Sequence, residues 1–359
     1  MRGYKHLTYH DRLKIDKLLR EGKKQVEIAR ILHVSESTIS REIRRSTYEH
    51  MNSDLTTKTR YNPDGAQERY EYNKTAKGAA LKISNDCAFA AFMETKIVKE
   101  KFSPAAVLAI IRNNPDLNFK TKLCERTIYN YIDKGVFRNI TSKELPYRGK
   151  RKKKIKKEQK KPFRVSKGES IEKRPKEVNE RKEFGNWEMD SVVSCKTSNA
   201  ATIVMTERKT RQEITFLVPD HTSASVVSCI NILENQLGDF FPKIFKSITM
   251  DNGVEFSDCN GIEKSLFGGK RTKCYYCHPY CSSERGSNEK QNQMLRRHFP
   301  KGTDFSKVSE REMSYATSWL NNYPRKLFNW RTSQQLFDEE MRKISSTPPP
   351  IFFSKKLLH

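Results

Sequence analysis

Two apolar, β-branched segments constrain this chain most, because each delivers an aspartate at or just past the end of a strand. The first covers residues 186–193 and contains Asp190, and the second covers residues 244–250 and is followed by Asp251. Segments of this kind predict buried strands. A third carboxylate, Glu289, stands in a helix-like segment further along. Carboxylates from two strands and a helix can hold two divalent metals if the fold brings them together.

The third acid is less constrained by spacing than the two aspartates. The other acids available for this position are Glu255, Glu263 and Glu284. Helical geometry favours Glu289, because Asn292, Gln293 and Arg296 follow at i+3, i+4 and i+7 on its face. Amide and guanidinium donors beside such a glutamate suit a cleft that receives phosphates. Either aspartate alone could be an ordinary strand-end residue that caps a loop. Three close carboxylates without metal should raise one another's pKa values.

The charge of the chain favours a polyanionic partner. Its 359 residues include 69 Lys and Arg against 43 Asp and Glu, a net charge of +26. This length predicts two or three domains, and the charge predicts binding to nucleic acid or to an acidic surface. No apolar run approaches a membrane span and the first residues contain no signal core, so we expect no membrane partner and a cytoplasmic, nucleoid-associated bacterial protein.

The eight cysteines are scattered, which in a cytosolic chain predicts free thiols. Cys274, Cys277 and Cys281 form the one cluster whose spacing could hold a metal. No second ligand pair lies at a familiar distance, so the alternative is small buried thiols at a strand end.

Residues 1–50 predict a helix-turn-helix domain. A first helix carries Leu13 in an apolar stripe and stops at Gly22, and a third helix starts at Ser35 with Ile39 and Ile43 on its buried side. A short basic helix after a tight turn is what such a motif inserts into the major groove. The alternative is a plain helical hairpin. The outward-facing residues predicted to contact DNA are Ser37, Thr38, Ser40, Arg41, Arg44 and Arg45.

Three further regions precede the core. Residues 51–96 predict a helical linker, and residues 97–140 a second helix-turn-helix-like unit in which Arg126 lies on a recognition-like helix, although a simple packing helix fits equally well. Residues 141–178 form a linker with an almost continuous run of Lys and Arg. That run is either a solubilising spacer or, as the flanking units favour, an arm that follows phosphates through residues such as Lys152, Lys153 and Lys154.

Residues 179–300 predict an α/β core. Three strands in a meander, a helix, a further strand and a later helix build a mixed sheet, predicted as five-stranded, with helices on its faces. Asp190 and Asp251 lie side by side if their strands are neighbours. Residues 301–359 predict a C-terminal helical segment and tail.

These motifs together resemble the transposases of the insertion-sequence-30 family. The similar segments run in order through nearly the whole chain: 28–43, 102–104, 127–129, 185–190, 251–253, 278–289, 296–305, 324–326 and Thr332. The resemblance implies an RNase H-like core with an Asp-Asp-Glu triad, which maps onto Asp190, Asp251 and Glu289. Two features depart from the family pattern: a longer interval between Asp251 and Glu289, and the cysteines within it.

The resemblance implies a DNA transposase that uses two Mg²⁺ ions, with Mn²⁺ as a substitute. Such an enzyme binds the terminal inverted repeats of an insertion element, cuts one strand at each end and joins the freed 3′-hydroxyl to target DNA. Asn292 and Arg296 are expected to contact that DNA beside the triad, and a homodimer or larger assembly is expected to hold the two ends. The alternatives are a repressor of the same element that no longer cuts, and a non-specific basic nucleic-acid-binding protein.

Overall fold

A computed structural model describes residues 6–76, 81–83, 86–146, 168–278 and 282–357. The chain divides into two compact units, Met1–Ser84 and Asn85–His359. Several predicted features lie outside the described residues: the phosphate-following arm with Lys152, Lys153 and Lys154, the third cysteine Cys281, and positions 279–280 of the family motif. Within the described residues, no helix is both long enough and apolar enough to span a membrane.

The first unit contains the predicted helix-turn-helix. Thr8 caps its first helix in a reciprocal pair with Asp11, and His33, in the tight turn, adopts the left-handed conformation with φ 55°. Ile15, Ile28 and Ile39 form the buried centre, whereas Leu13 is on the exposed side of its helix and not in the predicted apolar stripe. The elements of this unit are α1 (Tyr9–Arg20), α2 (Gln25–Ile31), α3 (Glu36–Arg45), β1 (Thr47–Met51), β2 (Thr57–Tyr61) and α4 (Pro63–Ala76).

A β-hairpin makes the first unit α+β, and the prediction of an all-α N-terminal region is wrong in this respect. β1 and β2 pair antiparallel from Thr47 opposite Tyr61 to Met51 opposite Thr57. α4 follows directly and packs against α1 and α3. The compact unit therefore continues past the boundary predicted at residue 50.

The second unit contains a helical region and the α/β core. Its elements are α5 (Cys87–Glu94), α6 (Pro104–Asn113), α7 (Glu125–Asp133), β3 (Glu169–Ser170), α8 (Lys176–Glu180), β4 (Asn186–Val193), β5 (Ala201–Glu207), β6 (Glu213–Val218), α9 (Ser223–Leu237), α10 (Phe241–Ile244), β7 (Ser247–Met250), α11 (Cys259–Glu263), β8 (Lys273–Tyr276), α12 (Gly286–Leu295), α13 (Glu310–Asn321), α14 (Ser333–Ile344) and β9 (Ser354–Lys356).

The sheet has the order β3-β8-β7-β4-β5-β6-β9. β4, β5 and β6 form the antiparallel meander, while β7 and β8 run parallel to β4 on its other side. These five central strands give the RNase H-like arrangement that was expected. The predicted count of five is too low, because the very short strands β3 and β9 add one partner at each edge.

The main core lies on one face of this sheet, under α9. Trp187 and Met189 from β4 are fully buried there, as is Ile230 from α9. Phe337 and Met341 from α14 belong to the same cluster. The C-terminal segment, predicted as separate from the core, therefore completes it: α14 fills the core, α13 packs on β6, and β9 extends the sheet.

The predicted second helix-turn-helix-like unit packs directly on the core. Ser103 caps α6, with Pro104 in its first turn. The ring of Phe102 stacks on Tyr323, just after α13, with ring centroids 5.1 Å apart. The Lys101 Nζ donates to the carbonyl of Arg297, 2.8 Å away. These contacts fix the helical region against the catalytic half of the unit.

Candidate active site

The pairing of β4 with β7 brings Asp190 and Asp251 together. The two strands are parallel, with Asn186 opposite Ser247 and Glu188 opposite Thr249. Continuing this register by two residues places Asp190 opposite Asp251. Alternation along β4 puts Asp190 on the opposite face from Trp187, so its carboxylate faces α12 rather than the main core. The predicted juxtaposition of the two aspartates is present.

A guanidinium group that sequence reasoning missed lies between the two carboxylates. Arg285 Nη1 is 2.9 Å from Asp190 Oδ1, and Arg285 Nη2 is 2.8 Å from Asp251 Oδ2. The other oxygens also accept hydrogen bonds: Asp190 Oδ2 from Asn292 Nδ2 at 2.8 Å, and Asp251 Oδ1 from the Gly253 amide at 3.0 Å. Each of the four carboxylate oxygens therefore has a donor, and one cation serves both aspartates.

The surroundings of Asp190 raise the pKa of its carboxyl group. Burial raises the pKa of Asp190, and the negative charge of Asp251 raises it further, although Arg285 acts in the opposite direction. A raised pKa was expected for closely spaced carboxylates without metal. Burial, and not repulsion between the carboxylates, is the larger cause.

Glu289 lies on the same face of α12 as the residues that contact Asp190. Arg285 and Asn292 are seven positions apart, two helical turns, and Glu289 lies between them. Its side chain is exposed, and within the described residues it makes no hydrogen bond or ion pair. The three carboxylates do not form one tight cluster: in the described chain, only Cys259, Glu263 and Cys274 bring three potential ligand atoms within 4.8 Å of one another.

A buried charged network fixes the start of α12 on the sheet. Glu188, on β4, accepts a hydrogen bond from the Asn288 amide at 2.9 Å, within the first turn of the helix. Its other oxygen pairs with Arg208 Nη1 at 2.6 Å. Both side chains are almost completely buried. A carboxylate at a helix N-terminus satisfies free amides and interacts favourably with the helix dipole. Glu188 therefore holds the helix that carries Glu289.

The acids considered as alternatives to Glu289 have other partners. Glu284 accepts from the His278 amide at 2.8 Å and contacts His278 Nδ1 at 2.7 Å. Glu255 accepts from the Ser191 hydroxyl at 2.7 Å and contacts His221 Nε2 at 3.0 Å. Glu263 accepts from the Cys274 amide and from Lys270 Nζ. These contacts leave Glu289 as the carboxylate of this set that is open to a ligand.

Of the three clustered cysteines, the structure describes Cys274 and Cys277, and these two do not share a metal site. Cys274 lies within β8 and Cys277 just after it, three positions apart in an extended segment, so their side chains point to opposite faces. Cys274 instead lies beside Cys259 and Glu263. The Gly268–Gly269 interval that departs from the family pattern forms an exposed turn before β8, with both glycines at positive φ.

Comparison with known proteins shows what this chain is similar to. A helix-turn-helix domain model matches residues 3–46. The probable transposase for insertion-like sequence element IS1161 of Streptococcus salivarius is 30% identical, over 94% of this chain and 95% of that protein. The transposase InsI for insertion sequence element IS30A of Escherichia coli is 25% identical, over 94% and 84%. The chain belongs to the insertion-sequence-30 family of DDE transposases. Among solved structures, the catalytic core domain of BIV integrase aligns with 45% of this transposase and all of that chain, at 17% identity and a TM-score of 0.34.

The predicted DNA-contacting residues of the first unit lie on the outer side of α3. Ser37, Arg41 and Arg44 are exposed, while Thr38, Ser40 and Arg45 are partly buried. Arg41 donates through Nε to the Ser37 carbonyl at 3.0 Å, which orients its guanidinium along the helix. Arg45 pairs with Glu42, a buried acid that also holds Arg12 of α1. Arg45 therefore also contributes to holding α3 in place.

Of the described residues of the second unit predicted to contact DNA, one is exposed and two already form hydrogen bonds within the protein. Arg126 is exposed in the first turn of α7. Asn292 is engaged with Asp190, as described above. Arg296 Nη2 donates to the Val193 carbonyl at 3.1 Å, at the end of β4. In this transposase, Asn292 and Arg296 thus bind β4, through Asp190 and the Val193 carbonyl.

Proposed function

We propose that Asp190, Asp251 and Glu289 are the catalytic carboxylates with which this transposase cuts and joins DNA. The observation that carries the proposal is that Asp190, within β4, lies beside Asp251, just after the neighbouring parallel strand β7, and that one guanidinium bridges them. Glu289 supports it, because it lies on the helix face that contacts Asp190 and its carboxylate is open.

Divalent metal dependence follows from the family, and the residues present fit such ions. Asp190 and Asp251 supply hard oxygen donors that already converge on one cation, Arg285, and Glu289 lies on the adjoining helix face. We propose Mg²⁺ as the ion, two per site, with Mn²⁺ as a substitute. Bound ions of this kind activate an attacking oxygen and stabilise a departing one in phosphodiester chemistry.

The chain's own residues would then position the DNA. Arg285, freed from the aspartates, can donate to a phosphate oxygen at the same place, because a planar guanidinium matches phosphate as well as carboxylate. Asn292 fixes the orientation of Asp190, and Glu188 fixes α12. Water or a 3′-hydroxyl would attack in line on the phosphodiester held there.

We further propose that α3 reads the terminal inverted repeats, with Arg41 and Arg44 as leading contacts to bases or phosphates. Two element ends must meet for strand transfer, so we propose a homodimer or a larger assembly on DNA. The assembly would act in the bacterial cytoplasm, on the nucleoid.

The test is cleavage of a labelled duplex that carries the element's own terminal repeats, with Mg²⁺, Mn²⁺ or EDTA. We expect metal-dependent nicking at the repeat boundary, lost by at least about a thousandfold in Asp190→Asn and in Glu289→Gln. Repeat binding should stay unchanged in both variants. Asp239→Asn, which changes an exposed acid outside the site, is the matched control. Cleavage that survives Asp190→Asn contradicts the assignment, and repeat binding without cleavage under any metal favours the repressor.

A further inference from the structure

A cationic cavity lies on the other side of α12 from the candidate active site. Its volume is about 480 Å³, within the range of small-molecule sites. Gly286, Ser287, Lys290, Gln291 and Met294 line it from α12. These positions are on the helix face opposite the one that carries Arg285, Glu289 and Asn292. We call this space the α12 cavity.

The charge of the α12 cavity calls for an anionic ligand. Six cations and one acid line it: Arg181, Arg211, Lys290, Arg297, Arg325, Lys326 and Glu125. Burial, together with the positive charge of Arg181, lowers the pKa of Arg211 to about 10. Like charges gathered in a partly closed space repel one another unless an anion joins them. A phosphate group provides that anion.

A buried acceptor atom in the α12 cavity indicates that the ligand also donates a hydrogen bond. Gln291 is 1% exposed and lines the cavity. Its Nε2 donates to the Arg211 carbonyl at 2.6 Å, but its Oε1 has no hydrogen-bond partner within the described residues. An unsatisfied buried acceptor is costly, so its presence points to a ligand that donates. Nucleobases carry such N–H groups and phosphates do not.

Two aromatic side chains line the α12 cavity in addition to the cations and the buried acceptor. Tyr323 and Trp330 both line the cavity. Trp330 has φ 68°, directly after Asn329 at φ 52°, in the left-handed region that bulky residues rarely adopt. Its amide donates to the Arg325 carbonyl at 2.8 Å, and its own carbonyl accepts from Asn113 at 3.2 Å. Strained backbone held by its surroundings often marks a functional position.

We propose that the α12 cavity binds one unpaired nucleotide of a DNA strand, with its phosphate against the cations, its base against Trp330 or Tyr323, and a base N–H on Gln291. Phosphate, an aromatic face and a donating edge belong together in a nucleotide, and a paired base in a duplex cannot present all three. Aromatic side chains with a basic groove are the usual platform for single strands.

Because the α12 cavity lies close to the aspartate pair, the bound nucleotide can position the DNA strand for cleavage. This inference rests on the proposed function. A helix with its side chains is about 10 Å across, so the cavity and the aspartate pair are separated by about the width of α12. That distance corresponds to one or two nucleotides of an extended strand. A nucleotide held in the cavity would therefore stand close to the reacting phosphate and set which phosphate reaches it.

The test is photo-crosslinking of full-length protein to an oligonucleotide carrying 5-iododeoxyuridine, in EDTA so that no cleavage is required. We expect an unpaired iododeoxyuridine to crosslink to the peptide that contains Tyr323 or Trp330, as mapped by mass spectrometry. The same base paired inside a duplex should give little of this product. Equal crosslinking from the duplex, or crosslinks that map only elsewhere, overturns the proposal.

Variants separate the cavity from the rest of the DNA-binding surface. Trp330→Ala should lower this crosslink roughly tenfold, the usual cost of a lost base–aromatic stack. Because that change could also disturb folding, Lys326→Gln, at an exposed residue of the cavity rim, is the second variant and should lower it as well. Lys307→Gln, an exposed lysine elsewhere in the second unit, should leave it unchanged. Unchanged crosslinking in both cavity variants contradicts the proposal, whether or not the transposase cuts DNA.

Discussion

At the scale of single residues, Arg285 is the feature that most changes the picture of the site. It lies seven positions before Asn292 and far in sequence from both aspartates, yet it forms an ion pair with each of them. A metal ion that binds Asp190 and Asp251 must displace this guanidinium. The arginine therefore keeps the carboxylates close together in the absence of metal and competes with the metal for them.

The first residue-scale prediction concerns Arg285→Gln. In EDTA this variant should lose roughly 1–3 kcal/mol of unfolding free energy, because two neighbouring carboxylates lose their shared cation. Mn²⁺ should then stabilise the variant more than the wild type, because the ion no longer competes with a guanidinium. Urea unfolding with and without Mn²⁺ measures both effects. Arg112→Gln, an exposed arginine, is the control; equal Mn²⁺ stabilisation in Arg285→Gln and wild type would contradict the competition.

The second residue-scale prediction concerns Glu213, a fully buried carboxyl on β6. The Thr206 hydroxyl has one proton but contacts both Glu213 Oε2 and Asn288 Oδ1. A protonated Glu213 resolves this, since it donates to Thr206, which then donates to Asn288. Burial raises the pKa of Glu213 to about 8; Arg325 opposes the shift, while Asp190 and Glu188 add to it.

The sign of the resulting pH dependence follows from the raised pKa. The folded protein keeps this proton up to about pH 8, while the unfolded chain releases it near pH 4.5. Stability from this group is therefore complete below about pH 4.5 and is lost as the pH rises to 8, by at most about 1.4 kcal/mol per pH unit. Glu213→Gln should remove this component in urea unfolding from pH 5 to 8. An identical slope in wild type and variant would show that Glu213 is ionised when folded.

At the scale of secondary-structure elements, α12 is the element on which the site depends. Glu188 binds its first turn, Thr206 binds Asn288, and Arg285 and Asn292 hold the aspartate pair. Its position on the sheet thus depends on side chains from β4 and β5 rather than on an extensive apolar face.

The prediction at this scale is that Glu188→Ala destabilises the protein by about 3–5 kcal/mol, because Arg208 is left as a buried charge without a partner. Arg208→Met in the same chain should recover part of that loss. Neither change touches Asp190 directly, yet both should slow cleavage because α12 is less firmly held. Chemical unfolding and the cleavage assay measure the two effects. A double variant no more stable than Glu188→Ala alone would show that the buried charge is not the cause.

The comparison of sequence and structure is most instructive for these elements. β4, β5, β6 and α9 were predictable because apolar runs mark buried strands and helices. The juxtaposition of Asp190 and Asp251 followed from placing one in β4 and the other just after β7. The β1–β2 hairpin was not, because most of its side chains are exposed and leave no alternating apolar signal. The pairing of Arg285 with Asp190 joins residues 95 positions apart, which local patterns cannot predict.

At the scale of the whole molecule, the C-terminal residues belong to the catalytic half of the chain. Phe337 is fully buried against Trp187 and Phe184. Phe353 packs on Phe337 in turn, and its carbonyl accepts from the Thr215 amide at 2.9 Å. The end of the described chain therefore contacts β4 through Trp187 and β6 through Thr215.

We therefore predict that a chain shortened to end at Trp330 loses the cooperative unfolding of the second unit while the first unit still melts. Phe337→Ala in the full-length chain should cost about 3–5 kcal/mol, the usual cost of truncating a core phenylalanine. Thermal unfolding followed by circular dichroism distinguishes the two transitions. A shortened chain that melts like the wild type would show that residues 331–359 are an independent appendage.

The two edges of the sheet bear on how copies of this transposase can assemble. β3 offers two residues and β9 three, and β9 carries Lys355 and Lys356. Very short, charged outer strands leave little backbone for another sheet to join. The proposed assembly of two copies at the element ends would therefore form through side-chain surfaces or through the DNA itself, and not by merging the two sheets into one.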